Sequence, residues 1–187
     1  MRAIRIRQFL FRTSLPVATL ALAAATILAA PQAPEAKHPL AVFEPFAGFW
    51  KIDRPPHDGI SDEYHVVEWD LNRTILVLSE YQRKDGKFRR YAIGMMGWNP
   101  LAQRIELQEH ADWGNFNRGE VEVLAPGRIR RHLFVHYAAG AALHWRETWE
   151  LQSDTRYTTV IEKLENGGWK SVGKPFTSVR VQSLPKE

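Results

Sequence analysis

Beyond Pro39 the apolar positions fall in short runs that do not follow a helical period. Runs rich in Val, Ile, Tyr, Phe and Trp recur, separated by turn chemistry, and predict a succession of strands. They cover Gly48–Asp53, Glu63–Asp70, Thr74–Gln82, Phe88–Trp98, Gln103–Glu109, Gly119–Leu124, Ile129–Tyr137, Ala142–Leu151, Tyr157–Leu164, Trp169–Val172 and Phe176–Val181. Asp85-Gly86 and Asn166-Gly167 suit two-residue type I′ turns, in which both central residues take positive φ. Asn99-Pro100 and Ala125-Pro126-Gly127 are further breakers. Only Leu40–Phe46 suits helix, as a short turn before the first strand. Consecutive antiparallel hairpins must dispose of their sheet edges, and closure does so. The expected fold is therefore all-β: an up-and-down antiparallel barrel of eight to ten strands, with a two-sheet sandwich as the alternative.

Two hairpins show a register. With Ala138-Ala139-Gly140 as a three-residue loop, Tyr137 faces Ala141, Phe134 faces His144 and His132 faces Arg146. One face then holds Leu133, Val135, Tyr137, Leu143, Trp145 and Trp149, with Glu147 as its misfit. The other holds His132, Phe134, His136, His144, Arg146, Thr148 and Glu150, and a one-residue slip would mix the two sets. The Asp85-Gly86 hairpin separates less cleanly. Ile75, Val77, Ser79, Tyr81, Phe88, Arg90, Ala92, Gly94, Met96 and Trp98 share one face, and Leu76, Leu78, Glu80, Arg89, Tyr91, Ile93 and Met95 the other. Both are apolar enough to suggest that the second is covered by the N-terminal segment, a neighbouring chain or a long loop.

The segment Phe43-Glu-Pro-Phe-Ala-Gly48-Phe49-Trp50 resembles the first-strand signature of the calycin superfamily, a Gly-x-Trp that begins a lipocalin-type barrel. Arg180, in Thr-Ser-Val-Arg-Val, matches the closing-strand Arg that in calycins packs over that Trp. The order of a Tyr64–Asp70 strand, a Lys84-Asp-Gly-Lys87 turn, Gly97-Trp98-Asn99-Pro100 and Asn166-Gly-Gly-Trp169 is also similar to bacterial secreted lipocalin-like proteins of unknown function. The resemblance covers about residues 42–182. It implies that Trp50 and Arg180 close one barrel end by a cation–π contact and that the lumen takes a small molecule.

The N-terminal residues change the picture of charge and location. Arg2, Arg5, Arg7 and Arg12 precede the nearly unbroken apolar run Leu15–Ala30, then Pro-Gln-Ala-Pro-Glu-Ala. That order reads as a secretory signal, and the run is shorter than the roughly 20 residues of a spanning helix. Residues 1–36 are thus expected to be a signal peptide and short linker, residues 37–187 the barrel domain, and the mature protein periplasmic or secreted. An uncleaved N-terminal segment would be its only membrane attachment. The chain's net charge is +4, but four arginines and one acid lie in the first 36 residues, which leaves 21 basic and 20 acidic residues. A near-neutral domain is a poor match for a phosphate backbone. The runs Arg83/Lys84/Lys87/Arg89/Arg90 and Arg128/Arg130/Arg131 read as solvated hairpin ends, so no nucleic-acid partner is expected. With no Cys, disulfides, thiolate metal sites and cysteine nucleophiles are excluded.

The ligand-binding candidates are Tyr81, Trp98, Tyr137, Trp145 and Trp149, which offer apolar area and hydrogen-bonding tips to a small, mostly hydrophobic molecule. Trp50 and Arg180 are the closure residues. No catalytic or metal-ligating residue is singled out. His132 and His136 lie about 13 Å apart along one strand, too far to share a zinc ion, and read with His144 as part of a solvated outer face. His65, beside Val67 and Trp69, reads as a core or pocket histidine, and His110-Ala-Asp112-Trp113-Gly114 as a loop at the rim. No cofactor is expected, with haem as the alternative; a homodimer is left open. Two other function classes stand beside lumenal binding: an enzyme using a lumenal His as acid/base, and a partner-binding protein without a ligand.

Overall fold

The computed structural model describes residues 38–186 apart from Ala138. The expected signal segment lies outside the described residues. Eleven strands run in chain order: β1 Gly48–Asp53, β2 Ile60–Asp70, β3 Ile75–Lys84, β4 Lys87–Asn99, β5 Arg104–Ala111, β6 Phe116–Ala125, β7 Arg128–His136, β8 Ala142–Ser153, β9 Arg156–Glu165, β10 Gly168–Ser171 and β11 Phe176–Val181. Neighbours in sequence pair antiparallel from β1 through β9, and β1 pairs β11. One edge of β9 is shared, by β11 along its first half and by β10 along its second. The circuit is therefore a closed, ten-strand up-and-down barrel. It has no open sandwich edge.

The turn residues behave as their chemistry requires. Asp85 and Gly86 take φ of 49° and 78°, and Asn166 and Gly167 take 52° and 77°. The β7–β8 hairpin has the expected register: Phe134 faces His144, His132 faces Arg146, and the Tyr137 N–H donates to the Ala141 carbonyl at 2.9 Å.

The β3–β4 hairpin corrects the sequence reading. Below its turn the register shifts between Glu80 and Tyr81, so that Tyr81 faces Arg90 while Glu80 faces Ala92, and Tyr91 is the extra residue. A bulge of one residue exchanges the faces of everything beyond it. Ala92, Gly94, Met96 and Trp98 consequently join Leu76, Leu78 and Glu80 on the inner face, and Ile75, Val77, Ser79 and Tyr81 lie outside. The outer face remains apolar, with Ile93 and Met95 exposed on it.

One end of the barrel, here the lower one, is filled and sealed. The 3-10 turn Pro39–Phe46 carries Leu40, Phe43 and Phe46 into it, all fully buried. Phe46 meets Trp149 and Tyr157 at ring-centroid distances of 5.7 and 5.6 Å, and Trp50 meets Tyr157 at 4.8 Å. Burial of such side chains contributes roughly 1.5–3 kcal/mol each. The Trp50 indole N–H donates to the Phe46 carbonyl at 2.7 Å, and the Arg180 guanidinium lies 4.1 Å from the Trp50 ring. Arg180 also donates to the Ala47, Pro45 and Asp154 carbonyls at 2.6, 2.8 and 2.7 Å. This explains the glycine of Gly-x-Trp. Gly48 has φ of 126°, and a Cβ there would meet Arg180 Nη1 at 2.5 Å. The loops 54–59, 85–86, 112–115 and 166–167, with the β7–β8 turn, belong to the upper end.

Candidate functional site

Above the aromatic plug the inner face turns polar. Arg131 on β7 is 3% exposed and donates through Nη1 to Glu147 on β8 at 3.0 Å and through Nη2 to Glu109 on β5 at 2.5 Å. The other Glu109 oxygen accepts from Asn117 Nδ2 at 2.6 Å. Arg131 faces Glu147 directly across the β7–β8 pair, so the misfit of the apolar face is half of a buried ion pair. The expectation that Arg131 is a solvated hairpin-end charge is wrong: strand alternation turns it inward while Arg128 and Arg130 remain outside.

A second set lies beside this one. His65 on β2 faces Trp50 on one side and Glu80 on the other. Its Nδ1 lies 3.0 Å from the Tyr157 hydroxyl and its Nε2 lies 3.9 Å from Glu80 Oε1. Burial, and then the positive charges of Arg131 and Arg54, lower the His65 pKa to about 3, so the ring is neutral. Burial and the Glu109 charge push Glu80 up to about 8. Burial also raises Glu147, with Glu109 adding to the effect against Arg131. Around Arg131 burial opposes the charge, but Glu147, Glu109 and Glu80 outweigh it and hold its pKa above the ordinary value.

These shifts predict a specific pH profile. Between about pH 4.5 and 8 the folded protein holds the Glu80 proton that the unfolded chain releases, so stability falls as pH rises through that window. Between about pH 3 and 6.5 the unfolded chain protonates His65 while the folded protein does not, so stability falls as pH drops through that window. The slopes oppose one another where the windows overlap. Calorimetric midpoints should form a plateau near pH 4.5–6.5 and decline on both sides. Glu80→Gln should remove the decline above pH 6.5; a wild-type midpoint that rises from pH 6.5 to 8 would contradict the assignment.

The mouth above this floor is aromatic. Tyr91, the bulged residue, stacks on Trp113 of the 112–115 loop at 5.4 Å, and Trp113 is 56% exposed. Tyr137 and Trp145 are half-buried and pack against the core cluster. Leu143 belongs to the inward set yet is 41% exposed. Solvent therefore reaches inward-pointing side chains at the upper end, whereas Trp50 and Trp149 below are fully buried.

Five ligand-binding candidates came from the sequence, and the structure scatters them. Trp145 and Tyr137 lie at the upper mouth. Trp149 faces inward but is sealed among Phe46, Tyr157 and His65, with Arg131 5.2 Å above its ring. Trp98 faces inward on lower β4, opposite Ile105. Tyr81 does not face the lumen; it stacks on Phe88 at 5.7 Å outside the barrel, because it precedes the bulge. Sequence reasoning missed Glu80, Tyr91, Glu109, Asn117 and Arg131. One signal for Arg131 was present: the hairpin register that isolated Glu147 also sets Arg131 opposite it.

Two features lie on the outer surface of the barrel. A groove of about 1030 Å³ lies across the outer faces of β4–β7, with Met95, Gln108, Arg118 and Phe134 on its wall. It lies outside the barrel, whereas the buried charges of Arg131, Glu109 and Glu147 are inside. His132, His144 and Trp169 also cluster outside, with His144 and Trp169 rings 4.9 Å apart. Among the described residues no three His, Asp or Glu side chains gather closely enough to hold a metal ion, and no helix is long and apolar enough to cross a membrane. No protein-family model matches the chain, and none of the curated proteins is similar enough to count as a relative.

Proposed function

We propose that the chain is an exported, calycin-type barrel that binds a small, mostly hydrophobic molecule through its upper mouth. The observation that carries this reading is the contrast between the two ends. At the lower end Leu40, Phe43, Phe46, Trp50 and Trp149 are fully buried, with Trp69 and Trp98 half-buried around them. At the upper end inward-facing Trp145 and Tyr137 are half-buried and Leu143 is exposed above a buried polar floor. Apolar surface covered by these side chains would stabilise a complex by about 25 cal/mol per Å² before ordering costs. The floor of Arg131, Glu147 and Glu80 would orient the polar end of the molecule. The Gly48/Trp50/Arg180 arrangement supports the calycin assignment, and the basic-then-apolar N-terminus supports export to the periplasm or beyond.

Titration of tryptophan fluorescence with fatty alcohols, fatty acids, retinoids and haem should give a saturable response to at least one of them. Trp145→Ala should weaken it about tenfold or more, the scale of losing one aromatic contact. No saturable response across the panel would contradict lumenal binding.

A second reading is favoured by the His65–Glu80 contact. A carboxyl group that keeps its proton near neutrality can act as a general acid beside a neutral imidazole. If the barrel transforms its guest, mass spectrometry after long incubation will find a changed ligand, and Glu80→Gln will abolish the change. Recovery of the ligand unaltered from wild type would contradict catalysis.

A further inference from the structure

The hydrogen-bonding balance of the inner face says what kind of polar end the lumen accepts. Seven side-chain polar atoms on that face are buried without a partner among the described residues. Four are N–H donors: Trp69 Nε1, Arg131 Nε, Trp145 Nε1 and Trp149 Nε1. Two are hydroxyls, on Thr159 and Ser178, and only Asn115 Oδ1 is an obligate acceptor. Each buried orphan costs about 1–3 kcal/mol. Water or a guest normally satisfies such groups.

The relevant donors lie together around the charged floor. Arg131 is held above the Trp149 ring, and Trp149 faces Thr159 across β8–β9. The Trp149 N–H acts on Glu147 and opposes the rise that burial causes, which makes Trp149 the least free of these donors. Trp145 is the inward neighbour of Glu147 on the same strand. Each Nη atom of Arg131 donates one hydrogen bond, to Glu147 or to Glu109, and Nε is the guanidinium nitrogen with no partner among the described residues.

Resting on the lumenal reading, we propose that the barrel selects guests whose polar end is neutral and accepts hydrogen bonds: an alcohol, aldehyde, ketone or ester. A carboxylate offers acceptors, but it would share the site with Glu109 and Glu147, two carboxyl groups that already divide one guanidinium between them. Two carboxylates in one buried site repel strongly. An ammonium group would escape that repulsion, yet it has donors alone and leaves the N–H groups of Arg131 and Trp145 unpaired. A neutral carbonyl or hydroxyl oxygen satisfies a donor and adds no charge.

Calorimetric titration at pH 7 with 1-octanol, 2-octanone, octanoate and octylammonium holds the chain length constant and changes only the end group. The alcohol and ketone should bind at least about tenfold more tightly than either ion, a difference of about 1.4 kcal/mol. Glu147→Gln, which removes one carboxylate and keeps the shape, should narrow the gap between octanoate and octanol about tenfold. Tightest binding of octanoate or octylammonium, or equal binding of all four, would overturn the selectivity and leave lumenal binding standing. Failure of all four would overturn both.

Discussion

Arg131→Met should destabilise the barrel by about 3–5 kcal/mol, the usual result of removing one partner from a buried ion pair. The loss comes less from the missing attraction than from what remains. Glu109 and Glu147 would stay inside the lumen with no guanidinium to offset them. The accompanying prediction separates this cause from lost packing. Adding Glu109→Gln and Glu147→Gln to Arg131→Met removes the stranded charges, and most of the stability should return. Chemical denaturation of the single and triple variants measures both. A single variant within 1 kcal/mol of wild type (roughly the effect of an ordinary surface change) would mean that the charges are solvated and the polar floor is not buried.

The second large effect is at the opposite end. Arg180→Ala removes three donated hydrogen bonds and the cation–π contact with Trp50 in one step. Two of the acceptors, the Pro45 and Ala47 carbonyls, belong to the plug and its junction with β1. Charge-assisted hydrogen bonds contribute about 1.5–3 kcal/mol when buried, and Arg180 is only partly so. A loss of about 3–4 kcal/mol is therefore expected, together with a melting point roughly 6–16 °C lower for a domain of this size. Arg180→Lys should recover only a minority of it, because a single ammonium cannot reproduce the planar fork. Full recovery by lysine would show that charge alone matters and that the fork across Pro45, Ala47 and Asp154 does not.

Legibility in the sequence followed locality. Asp85-Gly86, Asn166-Gly167 and the three-residue loop before Ala141 set their own backbone geometry, so strand order and the β7–β8 register could be read directly. Ring closure was also accessible, because ten strands without a helix to cover an edge have few other arrangements. The bulge at Tyr91 was not accessible. Nothing in Phe88-Arg-Arg-Tyr-Ala-Ile marks which residue is extra; the choice is made by packing, which places Ala92 and Gly94 rather than Tyr81 against the lumen. That single slip misassigned Tyr81 and hid the inward position of Met96 beside Leu76.

The candidate site failed to show itself for a different reason. A buried charge is recognisable in sequence only through its partner, and the partners here come from distant strands. Glu109 on β5 and Arg131 on β7 are separated by β6 and meet only because the sheet curls. Glu80 is similarly remote from Glu109. Alternation alone places Arg131 inward and Glu147 opposite it, but a sequence cannot weigh that pair against the usual solvated fate of arginine. His65 was easier, since Val67 and Trp69 share its face.

The most direct test of the account is an NMR titration that follows the indole N–H resonances, with each tryptophan assigned by a Trp→Phe variant, as 1-octanol is added. If a guest enters the upper lumen and accepts from the polar floor, the Trp145 resonance moves saturably while Trp50, whose N–H is already bonded to Phe46, stays in place. Movement of Trp98 or Trp113 alone, or no saturable movement at Trp145, would contradict a lumenal site.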